Sequence, residues 1–165
     1  MERRCGADAG RVAPLRAVKK LNLYAIVAGA AADMVATLFT SILISAVAGG
    51  LLLSQGVPED EVGARLTADG RVLMWSVVFG LLASFGGGLV AARIAKHREV
   101  THAASAGAAG LILATVSAVV SPVQLPTWYV VFGYGLVIPA AAIGGLLGQW
   151  WNSPPPASGS TNAPL

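Results

Sequence analysis

From Val100 to Leu165 this chain has not one Asp, Glu, Lys or Arg. In a soluble domain about a quarter of the residues are charged, because the outward face of every element meets water. Here the charged share is 12% and hydrophobic residues make up 55%. The charges that exist are gathered before Leu21, between Glu59 and Arg71, and between Arg93 and Glu99, with Asp33 alone elsewhere. This arrangement excludes an ordinary water-soluble globule and predicts an all-α polytopic membrane protein, a single domain by its length.

A helix crossing a hydrocarbon core of ~30 Å needs about 20 apolar residues. Four stretches reach that length: about 23–53, 72–92, 102–120 and 128–151. The predicted architecture is therefore a four-helix transmembrane bundle over residues 22–151. A basic leader (1–21) precedes it and a Pro-rich tail (152–165) follows, which with Pro154-Pro155-Pro156 and small polar residues has nothing to bury and is expected to be disordered. Ala46-Val47-Ala48 has the small-x-small form that a signal peptidase accepts, but the apolar run continues through Leu51, Leu52 and Leu53. An uncleaved first span is the expectation.

Orientation follows from counting Lys and Arg in the short flanks, since positive residues resist translocation. Arg3, Arg4, Arg11, Arg16, Lys19 and Lys20 precede span one, and Arg93, Lys96 and Arg98 join spans two and three. The loop between spans one and two is acidic, with Glu59, Asp60, Glu61 and Asp69 against Arg65 and Arg71. Both tests place the N- and C-termini in the cytoplasm and the chain in the plasma (inner) membrane, with the leader near anionic lipid. The leader has no interleaved aromatics, and no nucleic-acid partner is expected. Trp75, Trp128, Trp150 and Trp151 fall near span ends, as interfacial aromatics do. Cys5 is the only cysteine, so no disulfide is possible within one chain. Between Gly56 and Gly70, Pro58 followed by three acids predicts a short helix on the outer surface, with Val62 and Leu66 as its apolar edge.

Spans in lipid associate through close packing, because lipid tails are as apolar as Leu. Small residues therefore mark the expected seams. Span two has Ser76, Gly80, Ser84, Gly88 and Ala92 at every fourth position, and span three has Ala106, Gly110, Ala114 and Ala118. Span four has Ala140, Gly144 and Gly148, and span one Ala28, Ala32 and Ala36. Surplus faces of this kind would serve a homo-oligomer or a membrane-protein partner. Pro139, inside span four, leaves the carbonyl of Gly135 without its backbone donor and predicts a bend.

Asp33 lies about 13 Å past Tyr24 along a helix, near the bilayer middle. A carboxylate there costs a few kcal/mol, so it should face the bundle, pair, or stay protonated. Asn22, Gly29, Asp33, Thr37, Thr40, Ser41 and Ser45 fall roughly along one stripe. Arg93 and His102 are the expected partners of Asp33, reaching from the inner surface. Two roles are open: a pin that fixes helix register, and a proton or ion site. No phosphate loop, nucleophile elbow or metal-spaced His/Cys/acid set is present, and His97 and His102, five apart, point to different helix faces. No cofactor, metal or catalytic residue is assigned.

Gly87-Gly88-Leu89-Val90-Ala91-Ala92-Arg93-Ile94-Ala95, with His102 and Gly107 following, resembles a pattern in small bacterial four-helix integral membrane proteins of uncharacterised function. The resemblance covers about twenty residues and implies fold and location. Ala92 stands where those proteins often have Gly. Two functions are carried forward: a non-enzymatic accessory or structural component acting through helix–helix contacts, and a small transporter or channel using Asp33.

Overall fold

The computed structural model describes residues 21–120 and 123–153. The leader residues 1–20 with Cys5, the Ser121-Pro122 pair and the triple-proline tail lie outside the described residues. Within them every element is helical: α1 (Leu23–Ser54), α2 (Glu59–Ala68), α3 (Gly70–Ala95), α4 (Glu99–Val120), α5 (Thr127–Gly135) and α6 (Val137–Asn152). Helices α1, α3, α4 and the α5–α6 pair are each long and apolar enough to cross a membrane. The chain is thus a four-span, all-α membrane protein, as its charge distribution predicts.

Each boundary has a local cause. Asn22 caps α1, its side chain accepting from the N–H groups of Tyr24 and Ala25. At the other end Gly56 takes φ +84°. Its N–H donates to Leu53 O and that of Val57 to Leu52 O, the paired bonds of a Schellman stop. Asp69 caps α3 through bonds from Arg71 N and Val72 N. The α3–α4 link is so short that Lys96 and Arg98 both take left-handed φ, 52° and 48°, at about 1–2 kcal/mol each for residues with a Cβ.

Span four is two helices. α5 ends at Gly135 and α6 begins at Val137, with Leu136 between them. Pro139 has no N–H to return to the Gly135 carbonyl, so the break falls one turn before it.

Helix α2 follows the short helix expected from Pro58 and the acids. Val62 and Leu66 face Gly49 of α1, where a Cβ would stand 3.4 Å from Val62 Cγ1. That apolar edge covers the end of α1. The Glu61–Arg65 ion pair, 3.0 Å long, is exposed and adds little.

Helix α3 is central and packs against all five others. Burial is strongly uneven along the bundle. At the end where α1 begins and α6 ends, hereafter the terminal end, Ala25, Gly29, Ala91, Ala92, Ala103, Ala106, Ala141 and Gly145 are buried. At the α2 end only Gly49 and Leu73 are. Large apolar side chains face outward along all four spans, as lipid-facing surfaces require. Tyr24, Trp75, Trp128, Trp150 and Trp151 are exposed near helix ends, in keeping with two interfacial belts.

Adjacent glycines make the tight end. A Cβ on Gly87 would strike Asp33 Cβ and Gly29 O on α1, both at 2.7 Å, whereas one on Gly88 would strike the Ala141 backbone of α6. Likewise a Cβ on Gly144 would strike the Phe85 carbonyl of α3, and one on Gly145 would meet Ala103 Cβ of α4 at 2.6 Å. Successive residues point about 100° apart around a helix, so each pair lets one helix approach two neighbours at backbone distance. Gly148 adds a contact with Ala92.

Three seam expectations are corrected. A Cβ on Gly80 would meet nothing within 4 Å, so no neighbouring helix packs on that position. The packed face of α1 is Ala25, Gly29 and Asp33 rather than Ala28, Ala32 and Ala36, which are half-buried. The every-fourth stripe on α3 also divides: Gly88 and Ala92 pack on α6, while Ser76, Gly80 and Ser84 line a cavity. α-Helices precess by about 40° over four residues, so one stripe does not face one neighbour for a whole span.

Candidate functional site

The loose half of the bundle holds a half-open cavity of about 700 Å³ between α1, α3, α4 and α5, with Met34 and Leu38 at its exposed edge. Asp33 borders it where the tight half begins. From Asp33 the lining runs toward α2 past Thr37, Ser41 and Ser45 on α1, and Ser76 and Ser84 on α3. Ser117 on α4 and Tyr129 and Tyr134 at the α5 side add further hydroxyls, and Leu66 and Thr67 of α2 lie at the far end. Apolar side chains such as Met34, Leu38 and Leu81 form the remaining walls. Asp33 is the only charged residue on the lining among the described residues.

Asp33 is 9% exposed. Its Oδ1 accepts two hydrogen bonds, from Ser84 Oγ at 3.1 Å and from Thr37 Oγ1 at 3.5 Å. Thr37 sits one turn along the same helix, so the stripe read from the sequence supplies it. Ser84 comes from α3 because Gly87 and Gly29 bring the two backbones together one turn away. No described hydrogen bond reaches Oδ2. Among the described residues no fully enclosed side-chain oxygen lacks a partner, so Oδ2 opens onto the cavity. Gly110 flanks it, and a Cβ there would stand 2.8 Å from Oδ2.

The expected partners of Asp33 are elsewhere. Arg93 is exposed at the terminal end, with its Cζ 4.3 Å from the centroid of the Trp151 ring. Ser84 and Arg93 are nine residues apart on α3, about 13 Å along its axis, and the Gly29–Gly87 contact fills the space between. His102 is fully buried and engaged with backbone. Its Nε2 accepts from Asn22 N at 2.8 Å, and its Nδ1 lies 3.0 Å from Arg98 O. Those two partners define the neutral tautomer with the proton on Nδ1. His102 therefore ties the start of α1 to α4 rather than serving Asp33. The His97 ring packs against its edge, 5.2 Å between centroids.

Of the remaining candidates, Ser41 lines the cavity, whereas Thr40 turns away and donates to Ala36 O at 2.7 Å. Gly110 and Ser84, read from the sequence as packing residues, belong to the site. Gly88, Gly144 and Gly148 hold the helices beneath it. Sequence reasoning missed Gly29, Gly87, Gly107 and Gly145 as seams and Tyr129, Tyr134 and Ser117 as lining. Ser84 carried a signal, being both small and a donor, but position alone does not say which property is used.

Among the described residues no three His, Cys, Asp or Glu side chains gather as a metal set would. Chemically, the arrangement offers one carboxylate oxygen that opens onto a hydroxyl-lined space, with no cationic side chain among the described residues of the lining. Comparison with protein-family models, with curated proteins and with solved structures finds no match to this chain.

Proposed function

We propose that this protein is a small, non-enzymatic transporter or channel in which Asp33 binds and releases a proton or a cation. The observation that carries the reading is Asp33 Oδ2, which accepts no described hydrogen bond and opens onto the cavity near the bilayer middle. A carboxylate oxygen that opens onto the cavity can meet a water, a proton or a cation, which an acid sealed between helices cannot. A binding site needs one oxygen left for its ligand.

The same geometry weighs against an accessory protein acting through its small-residue faces. Gly88, Gly144 and Gly148 are spent on contacts inside the bundle. Positive-inside counting supports a plasma-membrane location with both termini cytoplasmic. In that orientation the cavity faces outward and the Gly-packed half forms the inner barrier. The basic leader then lies against anionic lipid of the inner leaflet.

The test is flux through proteoliposomes with an entrapped pH indicator and an imposed cation gradient. Wild-type protein is expected to move protons or cations, and Asp33→Asn to lose that movement while eluting as a folded, monodisperse species. Equal flux through wild type, Asp33→Asn and empty vesicles would overturn the proposal.

A further inference from the structure

Resting on that reading of Asp33, we infer that the cavity takes an amphiphilic organic monocation, an ammonium group attached to an apolar body. The charge requirement comes from the lining, where among the described residues Asp33 is the only charged one and no cationic side chain stands beside it. One positive charge at Oδ2 completes the site, whereas an anion would meet an uncompensated carboxylate in a low-dielectric space. A dication would leave a net charge there.

The coordination available argues against a bare divalent ion. Hard divalent cations take six or more oxygen ligands. Around Asp33 the protein supplies its carboxylate and the hydroxyls of Thr37 and Ser84, and Gly110 presents no polar side chain. An ammonium or alkylated ammonium group needs only the carboxylate and a few acceptors or low-dielectric contact.

Size and wall chemistry specify the rest of the molecule. A volume of about 700 Å³ falls in the range of small-molecule pockets. It exceeds what a proton or a hydrated ion occupies. Met34, Leu38, Leu81 and Val137 offer apolar contact, and Tyr129 and Tyr134 add aromatic surface to the lining. Gly80 lies on the same wall with nothing within 4 Å of its Cβ position. A glycine that no neighbouring helix needs keeps the cavity wide at that level.

The experiment is equilibrium dialysis of radiolabelled 3-phenylpropyl-trimethylammonium against purified full-length protein in detergent, with empty micelles as the partition reference. Its uncharged isostere, carrying tert-butyl in place of trimethylammonium, and 4-phenylbutyrate serve as competitors. Saturable binding of the cation is expected, with both competitors weaker by about tenfold or more, the scale of one unscreened charge interaction. Asp33→Asn should lose that preference for charge. Gly80→Leu, which fills empty space without touching Asp33, should weaken binding by about tenfold while leaving thermal unfolding unchanged. Should Asp33→Asn fail to fold, Gly80→Leu still decides the matter. Equal affinity for the cation and its isostere, or unaltered binding in Gly80→Leu, would overturn the inference. Asp33-dependent proton or inorganic-cation flux with no saturable organic-cation binding would overturn this inference alone. Loss of both would overturn the function proposed above as well.

Discussion

The two halves of the bundle are built from the same small residues and put them to opposite uses. Toward the termini, glycine removes side-chain volume so that backbones touch, as Gly88 does on Ala141 and Gly144 on Phe85. Toward α2, Gly80 on α3 leaves the volume unfilled, and Gly110 on α4 yields its space to the Asp33 carboxylate. Asp33 lies on the boundary, its Cβ against Gly87 of the tight half and its Oδ2 open to the loose one. A small residue in a membrane helix is thus a statement about space, and only its neighbours decide whether another helix or a ligand takes that space.

The largest expected effects break the tight half. Gly88→Leu and Gly144→Leu drive a side chain into facing backbone, and each should cost about 3 kcal/mol or more, since backbone yields less than side chains. Thermal unfolding in detergent measures this. Unchanged midpoints would remove the distinction between the halves. His102→Ala comes next. It leaves the Asn22 N–H without its acceptor and opens a void, together worth about 2–3 kcal/mol. Faster amide exchange over the first turn of α1 is the specific sign, and unaltered protection there would contradict the tie between α1 and α4.

Smaller effects sharpen the contrast. Trp151→Ala removes the surface under the Arg93 guanidinium and should cost about 0.5–1 kcal/mol, read from the same melts. Gly80→Leu should fall within about 0.5 kcal/mol of wild type, because glycine is also a poorer helix former than leucine. A destabilisation there as large as that of Gly88→Leu would mean that the cavity closes around Gly80. Water access is tested separately. In a Cys5→Ser background, Ser41→Cys and Ser76→Cys should react with a membrane-impermeant thiol reagent, and Val78→Cys, on the exposed face of α3, should not. Reaction from outside only would also support the proposed orientation.

Much of the fold was legible because it depends on properties local to the chain. Span lengths follow from runs of apolar residues, so the observed helices extend the expected spans by only a few residues at each end. The caps at Asn22 and Asp69, the stop at Gly56 and the break before Pro139 are set by residues within one turn of the feature they cause. The site was legible in part: Asp33 and Thr37 share a helix, and i, i+4 spacing is enough to pair them. Ser84 lies 51 residues away in sequence, and nothing local says that it rather than Arg93 reaches Asp33.

By itself, then, the sequence determined that four apolar helices alternate in direction with one acid near the middle of the first. It did so because hydrocarbon tolerates neither unpaired backbone nor free charge. Tertiary structure decided what that acid meets. The adjacent pair Gly87 and Gly88 draws α1 and α6 onto two sides of α3, which seals the terminal half and keeps Arg93 and His102 from the carboxylate. Beyond that seal Asp33 faces a cavity, with no counter-ion among the described residues of its lining. Helix phase and interhelical distance fix those outcomes, and both emerge only when all the spans are packed together.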